Sequence, residues 1–170
     1  MVRNRFLIPI ALLLGLTLVF AGCKEDSDPK EYDRAALTAQ VGDRIIRPAY
    51  SSLADAVELL RTDCNSFRQN PDLTHHAALA DQSKATWLIW KACSPFEFGP
   101  AATVSLRSIL NTFPSDTLQI HANFTSGSYD LNQAVNLDAR GFPALDFLLH
   151  GLAATDAEIL GRYNNAADSA

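Results

Sequence analysis

Positive charge is scarce in this chain. Its 170 residues hold 14 Lys and Arg against 19 Asp and Glu, a net charge of −5, whereas a nucleic-acid partner needs clustered basic side chains. The sequence has no apolar run of the ~20 residues that a membrane-crossing helix requires. No window alternates apolar and polar residues for long, which excludes a strand-built domain. Also missing are a glycine-rich phosphate loop, a nucleophile elbow and a His-Glu-x-x-His zinc helix. No self-evident catalytic set or cofactor-binding set remains.

The N-terminus is informative. Arg3 and Arg5 lead into an apolar run from Phe6 that ends at Ala21-Gly22-Cys23. A basic start, a short hydrophobic stretch and small residues at its end make a secretory signal over residues 1–22. Cys23 directly after Ala21-Gly22 resembles a bacterial lipobox, whose cysteine carries the lipid; Phe20 departs from the usual Leu. The alternative is a cleaved signal with an incidental Cys. Lipid attachment at Cys23 implies a membrane partner through acyl chains, at about 0.8 kcal/mol per buried methylene, and an envelope location, at the outer membrane. Losing residues 1–22 leaves 12 Lys and Arg against 19 acids, a net charge of −7. Residues 23–30 are polar and aperiodic, either a solvated tether or an acidic surface-export signal.

The rest reads as helices. Leu37, Val41, Ile45, Ala49, Leu53, Val57, Leu60, Cys64 and Phe67 recur every three or four residues, the stripe of a long amphipathic helix kinked at Pro48. Asn70-Pro71 should end it and open a second helix, with Asn70 as cap. That helix carries Leu73, Ala77, Ala80, Trp87 and Trp90 and closes at Ser94-Pro95. Shorter helices are expected over 103–110, 115–124 and 142–152, and Thr155-Asp156-Ala157-Glu158 has capping-box form. The fold class is all-α, an antiparallel helical bundle over residues 31–165 with a tail at 166–170. Cys64 lies seven residues before the turn and Cys93 twenty-two after it, so their heights on antiparallel helices differ by roughly 20 Å. A disulfide needs Cα atoms about 4.4–6.8 Å apart, and free thiols are expected.

Three landmarks stand in order: Arg47-Pro48-Ala49-Tyr50, Phe96-Glu97-Phe98-Gly99-Pro100, and Arg140-Gly141-Phe142-Pro143-Ala144-Leu145-Asp146-Phe147-Leu148-Leu149. Together with Phe113-Pro114-Ser115-Asp116 they resemble the imelysin family of bacterial envelope proteins. The resemblance implies an all-helical fold of two bundles related by a pseudo-repeat, in a chain about twice this length. The chain would supply the first half, as a fragment or as a half-length member that completes its core by self-association or with an envelope partner. It further implies a link to metal or iron acquisition. The family motif Gly-x-His-x-x-Glu sets its His and Glu on one helix face, where they can share a metal. Here the corresponding residues are Gly141, Pro143 and Asp146. Proline offers no lone pair, which leaves Asp146 as the one retained ligand, and Gly141 with Pro143 reads chiefly as helix-start chemistry. A divalent metal is therefore poorly supported.

Other candidates are weighed by spacing. Asp146 and His150 lie one turn apart and can pair or share a ligand. Glu97, between two Phe residues, needs a cation or a polar pocket; Arg140 is the candidate partner, so Glu97, Arg140 and His150 define a possible pocket. His75-His76 and His121 lack ligand-spaced neighbours, and Trp87 and Trp90 belong to the core. The reading is an envelope lipoprotein acting as a binding component. The alternatives are a metal-dependent peptidase of the imelysin type and a truncated product without independent activity.

Overall fold

The computed structural model describes residues 33–165. Signal, lipid-attachment and tether residues 1–30 and the tail at 166–170 lie outside the described residues. The chain divides into two units, with the division after Leu37. In the first, the Asp33 carboxylate accepts from the Ala36 backbone N–H at 2.8 Å and opens helix α1, Arg34–Val41.

In the second unit a π-helical segment, Gly42–Ile46, passes directly into α2, Arg47–Gln69. The expected irregularity at Pro48 takes this form. Proline has no N–H to give and its ring crowds the carbonyl one turn back, and the wider π turn just before it relieves both. The buried face of α2 is Leu53, Ala56 and Phe67, with Leu60 and Cys64 half-buried between them. The single stripe from Leu37 is therefore corrected: Leu37, Ile45 and Val57 are exposed.

Helix α3, Leu73–Cys93, runs antiparallel to α2. Two contacts fix the direction: Thr86 Oγ1 donates to Ala56 O at 3.2 Å, and Cys93 Sγ donates to Ala49 O at 3.1 Å. The cap of α3 is Asp72 rather than Asn70. Its carboxylate accepts from His75 N at 2.8 Å and from the His75 ring, and the backbone bond first holds its pKa below the usual range. Asn70 instead ends α2. The buried face of α3 also departs from expectation, since it includes His76, Ser83 and Thr86, while Leu73 is exposed. Intrahelical and cross-helix bonds satisfy Thr86, so a fully buried hydroxyl costs little there. Both cysteines are free, Cys93 buried and Cys64 half-buried, and burial pushes both thiols up.

A 3₁₀ turn, Ser94–Phe96, leads to α4, Pro100–Thr103, and α5, Leu106–Asn111. The single helix expected over 103–110 is thus broken, and Ser105 sits at φ 52°, the left-handed region. After the cis Phe113-Pro114 bond come α6, Thr117–Ser126, a 3₁₀ turn at Ala134–Asn136, α7, Gly141–His150, and α8, Asp156–Asn164. The capping box at Thr155 and Glu158 forms as expected. Among the described residues there is no strand, and no helix is long and apolar enough to cross a membrane.

Two clusters make most of the core. Leu53, Trp90, Cys93 and Phe142 join the lower parts of α2, α3 and α7; Phe67, Leu79, Leu149 and Leu160 join their other ends to α8. Helix α7 is antiparallel to α3, because Phe142 packs on Trp87 and Trp90 while Leu149 O meets the His76 ring.

Candidate functional site

The first two sequence landmarks meet through a hydrogen bond, and the third packs beside the first in the Leu53, Trp90 and Phe142 cluster. Tyr50 donates its hydroxyl to Phe96 O at 3.1 Å, tying the first landmark to the second. The third enters through Gly141, at φ +82°, where an added Cβ would lie 2.5 Å from Leu110 O. Only glycine combines that φ with that approach, so α5 can press directly on the start of α7.

Helix α7 then presents its residues in a fixed order. Phe142, Pro143 and Ala144 are buried, Asp146 and His150 are exposed. Pro143 occupies the first turn, where its missing N–H is no loss, and its burial fits the helix-start reading. Asp146 and His150 share a face but form no hydrogen bond with each other. They make a ridge between two depressions. On one side lies a cleft of about 510 Å³, also lined by Asp81, Ser83, Lys84, Trp87, Leu88 and Lys91 of α3. On the other lies one of about 360 Å³ against Phe113, Pro114, Pro143 and Phe147.

The α3 wall of the larger cleft was not singled out in the sequence. Asp81, Lys84, Leu88 and Lys91 recur at three and four, the helical spacing that places them on one face. Trp87 stacks on Phe142 with centroids 5.9 Å apart and planes at 9°, and donates its indole N–H to Asn111 at 2.9 Å. Lys91 Nζ stands 5.5 Å from the Trp87 ring centroid, a cation–π contact. Trp87 is accordingly half core and half cleft wall; Trp90 is core alone.

The remaining candidates do not assemble. Glu97 pairs with Arg107, not with Arg140: its carboxylate takes Arg107 Nε at 2.9 Å and the Arg107 backbone N–H at 2.8 Å. This staples the Phe96–Phe98 loop to α5. Arg140 donates to Leu131 O at 2.6 Å, and its buried Nε has no partner. Glu97 and Arg140 line neither cleft, whereas His150 lines both. His76 is buried with Nε2 3.0 Å from Leu149 O, His75 pairs with Asp72, and His121 stacks edgewise on Phe147.

A metal of the kind the family motif implies needs three or four protein donors in reach. Among the described residues no group of three or more His, Cys, Asp or Glu side chains is placed to hold one. Asp146 and His150 are two donors facing two lysines, and this set does not fit a metal centre. A family model described as Imelysin (peptidase M75) matches residues 46–168. No curated protein and no solved structure gives a match.

Proposed function

This chain belongs to the imelysin family, and from that premise we propose that it is a lipid-anchored protein of the bacterial cell envelope, held at the outer membrane, that binds a small ligand rather than hydrolysing a substrate. The observation that carries this is the cleft on the signature helix. A cavity of about 510 Å³ is in the range of small-molecule sites, and its lining offers charges of both signs and an indole face. It offers neither a nucleophile with its base nor a set of metal ligands. The anchor rests on Ala21-Gly22-Cys23 after the apolar run. A role linked to metal or iron acquisition follows from the family alone.

Two measurements test the proposal. Cys23→Ser should abolish acyl labelling and release the protein from the membrane fraction; labelling that survives the substitution overturns the anchor. The purified chain should take up zinc or iron weakly and leave unfolded protein substrates intact. Tight stoichiometric metal that is lost in Asp146→Ala would instead establish the metallopeptidase reading.

A further inference from the structure

We propose that the end of the bundle at which α2 begins and α3 closes rests on the lipid bilayer, its apolar depression taking phospholipid acyl chains. This rests on the lipid-anchored reading above and gives the anchored domain its orientation.

The depression, of about 500 Å³, is lined by Ile46 and Tyr50, by Phe96 and Phe98 of the loop, and by Val104 and Leu106 at the start of α5. Its one polar side-chain group, the Tyr50 hydroxyl, already donates to Phe96 O. Phe98 and Val104 are 58% and 54% exposed, and Ile45, next to Ile46 in the chain, is 51% exposed. Such a surface offers little to a polar ligand and gains by leaving water.

Two observations make the bilayer its occupant. The first is the tether. Fifteen residues from Cys23 to Thr38 span at most roughly 50 Å, and Ile46 follows Thr38 by roughly 12 Å of helix. The opposite end of the bundle, at the α2–α3 turn, lies beyond a further 23 helical residues, roughly 35 Å. A lipid on Cys23 therefore holds the depression, not that turn, nearest the membrane. The second is charge. Residues 43–50 and 94–107, which form this end, carry Arg44, Arg47 and Arg107 against Asp43 and Glu97. The balance is the reverse of that in the mature chain, where 19 acids exceed 12 Lys and Arg. Both acids are already bound to arginines, Asp43 to Arg47 at 3.1 Å and Glu97 to Arg107 at 2.9 Å. An apolar surface with a basic excess suits anionic lipid, whereas a second copy of the same end would bring like charges together.

The test places the full chain, as the cell makes it, in vesicles of equal parts phosphatidylcholine and phosphatidylglycerol. Their acyl chains carry bromine, which quenches indole emission on contact. Phe98→Trp and Val104→Trp each add an indole at an exposed position and should leave the melting temperature unchanged. Bromine should remove most of the emission that each adds over Trp87 and Trp90. Leu73→Trp, comparably exposed at the opposite end of the bundle, should keep its added emission. Intact Phe98→Trp emission in protein that floats with the vesicles overturns the docking and leaves the anchor standing. Equal quenching at positions 73 and 98 overturns the orientation and with it the proposal. Cross-links between copies through position 98, with emission intact, overturn it in favour of a second copy. Failure of the anchor shows separately, as a Cys23 that takes no acyl label.

Discussion

At Gly141 two constraints meet on one residue. Its φ of +82° is a region that residues with a Cβ rarely enter, and a Cβ would press on the carbonyls of Ile109 and Leu110. Neither neighbour can yield cheaply, because both contacts are backbone. Gly141→Ala should destabilise the domain by about 2–4 kcal/mol, summing backbone strain and overpacking, read as a lower denaturant midpoint. Asp146→Ala, five residues on but exposed, should leave the midpoint unchanged. That Gly141 is special could be read from its place before Phe142-Pro143. That it also bears on α5 could not, since the contact spans thirty residues of sequence.

At the scale of elements, α8 is held by the buried Ile159 and Leu160 and, beside them, by Tyr163. Its hydroxyl donates to Leu148 O at 2.9 Å, and its ring meets Phe67 edge-on at 5.0 Å. Burial, with the nearby Cys64 thiol adding to it, pushes the phenol up to about 12. The native state thus keeps its proton where an unfolded tyrosine, near 10, has lost it. Stability from this group is complete below pH 10 and falls as pH rises from about 10 to 12, by up to roughly 2–3 kcal/mol. Tyr163→Phe should abolish that alkaline loss at a cost near neutrality of about 1 kcal/mol, measured by urea melts across pH. The start of α8 was legible from Thr155 and Glu158, because a capping box is a purely local device. The start of α3 was misplaced by two residues for a related reason. Asn70-Pro71 and Asp72 both carry start signals, and only the path of the chain leaving α2 selects Asp72.

For the whole molecule the notable feature is apolar surface. Phe113 and Leu118 are 80% and 81% exposed, and Ile46, Tyr50, Phe96, Phe98, Val104 and Leu106 line an open depression of about 500 Å³. Single exposed side chains are ordinary, but a contiguous patch of this kind favours association. Residues 24–170 made alone should bind a hydrophobic dye and self-associate in sedimentation as concentration rises. A monomer at all concentrations, with a cooperative melt and no dye binding, would refute this.

The sequence by itself determined the all-α class, the order of the long helices, the free cysteines and the family. Periodicity, proline and glycine positions and capping residues act within a few residues, and the family landmarks survive as contiguous strings. Only the tertiary structure decided which face of each helix is buried and who pairs with whom. Val57 lost to Ala56, and His76 and Thr86 went inside, because burial depends on the neighbouring helix and a polar side chain is tolerated wherever a carbonyl of that helix meets it. Glu97 found Arg107 ten residues away rather than Arg140, because the chain turns back at Gly99 and delivers the start of α5 to it. The cleft is of the same kind: its residues come from two helices more than fifty residues apart, and no local pattern announces that Asp146 and His150 face Lys84 and Trp87.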